Sequence, residues 1–166
     1  MAVAEIIGAA VGIMLLVIVA YLLVGSTLTS AEVVITAQKD MSLQQDIRLN
    51  TRVEVTDTNI DENPYVNISV TNTGTQVISD FAHMDVLVYP NPAGGYEHLT
   101  YNANTCKVAG TWCIPADLGI QNDYIHPGQL DPDEKVWIMA SPASVTVPGL
   151  IQVTTSNGIT ASRMLP

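Results

Sequence analysis

Between Glu5 and Glu32 the chain runs for 26 residues without a formal charge. Its densest part, Ile6 to Val24, is apolar on every side, whereas a helix lying on a soluble core keeps one polar face. A bilayer core takes about 20 apolar residues as a helix, and this run has that length. The pattern predicts a helix that sits in lipid or packs among like helices. A removed secretory signal has a basic start and a shorter apolar stretch; here neither Lys nor Arg stands before the run. From Ser30 to Leu49 there is no Pro or Gly, and Val33, Val34, Ala37, Met41 and Ile47 recur with helical spacing among polar residues. One long helix over residues 3–48 is predicted, on the order of 65–70 Å at 1.5 Å per residue, with a bend expected near Gly25-Ser26-Thr27. Its front half is apolar all round, and its rear half carries one apolar stripe.

At Thr51 the period changes to two. Thr51–Asp57, Tyr65–Asn72 and His83–Tyr89 alternate apolar and polar residues, as half-buried strands do. Further strands are predicted over Tyr96–Tyr101, Lys135–Met139, Leu150–Thr155 and Ile159–Met164. Turns are expected at Asn72-Thr73-Gly74-Thr75, where Gly is assigned a positive φ, at Pro90–Gly95, at Pro127-Gly128 and Asp131-Pro132, and at the hairpin Ser156-Asn157-Gly158. Residues 102–133 carry the weakest pattern. The expected fold class is α+β: a hydrophobic and amphipathic N-terminal helix (1–49), then an antiparallel β-sandwich of immunoglobulin-like architecture (50–166) placed outside the cell.

Composition narrows the function. Six Lys and Arg against sixteen Asp and Glu give a formal charge of −10. So few scattered cations cannot neutralise a run of phosphates, so nucleic acid is excluded as a partner. Charged residues are only 13% and aromatics 5%, which argues against a disordered acidic tail and for an aliphatic core. The positive-inside rule has little to count, since Lys39 alone follows the helix closely.

Candidate chemistry is sparse. Cys106 and Cys113 enclose six residues centred near Gly110; a disulfide is the first reading and free thiols the alternative. Asn67-Ile68-Ser69 is a glycosylation sequon in a strand, with Asn67 on the outward face. His83 and His98 stand on neighbouring strands near Asp85 and Glu97, but nothing in the spacing enforces the convergence a metal needs. Asp123, Asp131, Asp133 and Glu134 offer oxygen ligands without the Gly-centred spacing of a calcium loop. Neither a nucleophile motif nor a phosphate loop is present. No metal, cofactor or enzymatic activity is expected. Glu5 at the mouth of the apolar helix calls for compensation, by an N-terminal amine of a neighbouring copy or by its own helix dipole, or else a place in the head-group region. Gly8 and Gly12, one turn apart, let helix backbones approach closely.

This layout resembles the type IV pilin superfamily, and within it the archaellum components: archaellins and the related stator proteins F and G. The residues that carry the likeness are Gln44–Val53 at the helix-to-strand junction, Val70–Thr75 followed by Met84–Val88, Leu130-Asp131-Pro132-Asp133-Glu134 with Asp where those proteins usually have Gly, and Val153–Ile159 in the final hairpin. The resemblance implies one of two roles. In the first, the chain is a structural subunit of an extracellular archaellum or pilus filament for motility or adhesion. Its helices form the core of a helical homopolymer, its β-domains the outer shell, and Glu5 matches the acidic residue that pairs with a neighbour's amine. In the second, it is a membrane-anchored stator whose β-domain binds the surface-layer protein. The filament subunit would be embedded in the membrane before assembly, the stator would stay there, and the membrane platform of the secretion machinery is a further partner the resemblance implies.

Overall fold

The computed structural model describes residues 2–60, 64–89, 94–145 and 147–166, without the side chain of Ala2. Contacts divide the chain into two units, Met1–Gln45 and Asp46–Pro166. The helix α1 runs unbroken over Ala2–Asn50, so its last turn belongs with the second unit. Through the segment where a bend was expected, the hydroxyls of Thr27, Thr29 and Ser30 donate back to the carbonyls of Val24, Gly25 and Ser26. These side chains thereby satisfy themselves on their own helix.

Among its described residues the second unit contains nine strands: β1 (Val53–Ile60), β2 (Val66–Asn72), β3 (Asp85–Tyr89), β4 (Glu97–Tyr101), β5 (Thr111–Cys113), β6 (Ile120–Gln121), β7 (Lys135–Ser141), β8 (Gly149–Thr154) and β9 (Thr160–Leu165). All seven strands read from the alternation are present, with ends shifted by at most three residues. β5 and β6 are additions: three and two residues long, they are too short to show a period. The α+β class holds.

The immunoglobulin-like arrangement of two separate antiparallel sheets does not. The strands follow one hydrogen-bonded path, β1-β2-β7-β5-β4-β3-β8-β9, with β6 beside β7, and β4 pairs with β5 in parallel. The reason is local. Residues 102–110 carry the chain back so that Gly110 and Trp112 accept from the amides of Thr100 and Asn102, which a hairpin could not do. The ends of the path, β1 and β9, lie side by side. Arg163 spans them, donating from Nη1 to the Val55 carbonyl at 3.1 Å.

Alternation builds the core. Val66, Ile68 and Val70 of β2 are fully buried, as are Val136 and Ile138 of β7, Val86 of β3, and Ile151 and Val153 of β8. Each such side chain contributes roughly 1.5–3 kcal/mol on burial. The core is aliphatic except chiefly for Trp112 and Phe81. Tyr101 packs on Trp112, with ring centroids 4.6 Å apart.

Gly74 corrects its sequence reading. Its φ is not left-handed; instead a Cβ there would lie 2.4 Å from the Asn50 carbonyl oxygen and 2.5 Å from the Arg52 nitrogen. The turn is pressed against the end of α1, and the amides of Thr75 and Gln76 donate to Asn50 while those of Thr73 and Gly74 donate to Arg52. The carbonyls that a helix end leaves without partners are thus capped by a distant turn. Gly158, by contrast, has the expected positive φ of +83°. The turn expected over Pro90–Gly95 falls partly on residues 90–93, outside the described residues.

Candidate functional site

The apolar helix is the first surface to account for. Taken by itself, it exposes its large side chains throughout: Ile6, Leu16 and Tyr21 are 69%, 71% and 80% exposed. Leaving each of these in water forfeits roughly 1.5–3 kcal/mol, so a run of this length has to be covered by lipid or by other helices. Glu5 lies in the first turn, where a negative charge meets the positive end of the helix dipole. Pairing of Glu5 with an N-terminal amine involves Met1, outside the described residues. A Cβ added to Gly8 or Gly12 would meet nothing within 4 Å, so the space beside both is open to a neighbouring backbone.

In the second unit, Cys106 and Cys113 are joined by a disulfide with a Cα–Cα distance of 5.4 Å. It ties the middle of the β4–β5 connection to the last residue of β5 and so encloses Trp112 in its loop. Lys107, inside that loop, has a φ of +67° and places its Nζ 5.2 Å from the centre of the Tyr65 ring.

The three histidines are separated, each paired with its own aspartate at 2.8 Å: His83 with Asp80, His98 with Asp85, and His126 with Asp131. Glu97 turns away to accept from the Ala143 amide. The acidic residues considered for calcium bind their own loops instead. Asp131, almost fully buried, accepts from the His126 backbone and ring, Glu134 from the Asp131 amide, and Asp123 from the Gly128 amide. Among the described residues no three metal-type side chains converge. Asp133 has a φ of +65°, a conformation that glycine adopts at less cost.

The sequon lies inside the sheet. Asn67 of β2 is partly buried between Asn59 of β1 and Met139 of β7. Ser69 is fully buried, with its hydroxyl 3.0 Å from Thr56 Oγ1. Thr56 itself sits at the register shift of β1 and also reaches Thr71 Oγ1 at 3.3 Å.

A buried asparagine that sequence reading placed only at a strand end and turn organises the loops at one end of this unit. Asn72 donates through Nδ2 to the carbonyls of Gln76 and Leu130, at 2.8 and 3.0 Å, and accepts through Oδ1 from the Gly74 amide. Its backbone pairs with Glu134 and Asp133. A polar residue ending an alternating strand carries little sign of such a role.

No protein-family model matches the sequence, and no curated protein matches it significantly. Solved structures do match in fold. The archaellum periplasmic stator protein FlaG from Sulfolobus acidocaldarius aligns with a TM-score of 0.52 and 21% identity, over 69% of this chain and 99% of that one. A chain of the periplasmic stator complex of FlaF and FlaG from the same organism aligns with a TM-score of 0.52 and 22% identity, over 69% of this chain and 89% of that one. The chain shares the fold of these archaellum stator proteins.

Proposed function

We propose that this chain is a cell-envelope component of an archaellum-type assembly, and that it serves as a stator: the helix anchors it in the membrane, and the β-unit, outside, holds a fixed part of the envelope. The observation that carries this reading is the fold shared with FlaG and the FlaF–FlaG complex, on a chain that also bears an apolar helix of membrane-spanning length. The disulfide suits an oxidising exterior. The role is structural rather than enzymatic. Its partners are other archaellum components, as the FlaF–FlaG complex is built from two of them, and a surface-layer protein.

A second reading has its own support. Gly8 and Gly12 leave room on one helix face for a neighbouring backbone, and Glu5 stands in the first turn. Those features favour a filament subunit, with helices of many copies in the core and β-units as the shell. Such heterologous contacts generate an open helical polymer.

The separating experiment is to shear filaments from the producing cells, image them, and locate the chain by mass spectrometry. A stator stays with the membrane fraction and is recovered with the basal machinery. Filaments composed mainly of this chain would overturn the stator reading and establish the second.

A further inference from the structure

On the outward face of the sheet lies a pocket of about 290 Å³, lined by Asn59, Asn67, Leu118, Gln121 and Trp137. Its volume is near the lower end of ordinary small-molecule sites, ~300 Å³. Strand register makes it. Asn59 stands directly opposite Asn67 across β1 and β2. Trp137 stands opposite Ser69 on β7, so its ring is diagonal to Asn67 on the same face. Gln121 of β6 pairs with Lys135, two positions before Trp137. The Trp137 amide donates to the Gly119 carbonyl at 3.1 Å, which draws Leu118 in as a wall.

The chemistry of the lining is distinctive. One partly exposed indole is framed by three carboxamides, and the described residues of the lining carry no formal charge. Nearby, Lys135 is drawn instead toward Asp57, with Nζ 3.7 Å from its carboxylate. The Asn67 Oδ1 is buried without a hydrogen-bond partner. Burial leaves this amide oxygen unmatched, while the Asn67 side chain as a whole is only partly buried and lines the pocket. Because a half-turn about its last torsion exchanges oxygen and nitrogen, the carboxamide can present either one to a ligand.

The geometry points to a saccharide subsite. An indole face offers an apolar platform for the C–H face of a pyranose. Carboxamides both donate and accept, which matches neighbouring hydroxyls that do the same. Among the described residues of the lining, neither an anion nor a cation finds a countercharge. The sugar has two sources with the same chemistry: a glycan on another envelope molecule, or one attached to Asn67 itself. The pocket lies wholly within the β-unit and does not depend on which assembly the chain joins.

The test uses the full chain in detergent, free of attached glycan, titrated by calorimetry with cellobiose and N,N′-diacetylchitobiose. Saturable binding is expected, with a dissociation constant of about 1 mM. Trp137→Ala and Gln121→Ala should each weaken it about tenfold or more. Trp137→Phe, which keeps an aromatic platform, should restore most of it and guard against a folding defect. No saturable heat with either sugar up to about 50 mM, or unchanged affinity in Trp137→Ala, overturns the assignment. The mass of the chain from its own cells then separates the sources once binding is seen. A sugar increment lost in Ser69→Ala shows that Asn67 carries a glycan able to fill the pocket, and a bare chain leaves the glycan of another molecule as the source.

Discussion

Asn157 Nδ2 donates to Thr51 Oγ1 at 2.6 Å across 106 positions of sequence. Thr51 passes the connection on, donating from the same hydroxyl to the Ile47 carbonyl at 2.7 Å. The final hairpin is therefore fastened to the residue that follows α1. Thr51 is almost fully buried, so removing its partner leaves a polar atom dry. Thr51→Val should destabilise the β-unit by about 1–2 kcal/mol, and Asn157→Ala by a similar amount. In the double variant the losses should fall short of their sum, because both remove one bond. Denaturant unfolding followed by the combined emission of the buried Trp112 and the partly exposed Trp137 reads all three.

Gly74→Ala should be far more damaging than a surface Gly→Ala change. Its new methyl would overlap backbone atoms of Asn50 and Arg52 rather than a flexible side chain, and the turn would have to withdraw from carbonyls it now caps. A loss of about 3 kcal/mol or more is expected. Gly110→Ala provides the comparison: its φ is +77° with open space around it, so only the left-handed strain of roughly 1–2 kcal/mol applies. Equal losses at the two positions would contradict the close-approach account.

Asp133→Gly should stabilise the chain. Asp133 adopts a φ of +65°, a conformation that costs an L-residue roughly 1 kcal/mol, and its side chain is exposed. A gain of about 0.5–1 kcal/mol is expected, partly offset by the greater freedom of glycine in the unfolded chain. A loss instead would mean that the aspartate side chain itself holds the turn.

Reducing the Cys106–Cys113 bridge should cost about 2–3 kcal/mol from loop entropy alone. Its effect should concentrate on the β4–β5 parallel pair, because the bridged loop is the connection between those strands. Hydrogen exchange at the amides of Thr100 and Asn102, both bonded to β5 or its entry, is the sensitive readout. Thiol labelling of the native chain at both positions would show that no bridge forms.

The long helix and seven strands were legible because they are long enough to express a period. The front of α1 is apolar on every side, and segments such as Val66–Val70 alternate without a break. The parallel β4–β5 pair was not legible, since parallel neighbours usually need a longer crossover and three residues of β5 show no pattern. Gly74 was identified as a turn residue, but its reason, contact with Asn50, lies 24 positions away. The pocket around Trp137 was hidden for the same cause. Asn59, Asn67, Gln121 and Trp137 come from four strands or their flanks, and only register brings them to one face. Asn67 was singled out as an acceptor of sugar by its sequon, whereas its place beside an indole is a property of the sheet.

The seam between β1 and β9 bears on how this unit fares when many copies are crowded together. An unpaired strand edge templates pairing with other chains, the first step toward amyloid-like stacking. Here the two edges of the path face each other, and Arg163 occupies the Val55 carbonyl that an incoming strand would seek. A positive charge set into the seam also opposes intrusion by an apolar strand. The two longest edges among the described residues are thereby turned toward each other, so recognition at this seam rests on side chains and stays selective where an unguarded edge would make it indiscriminate.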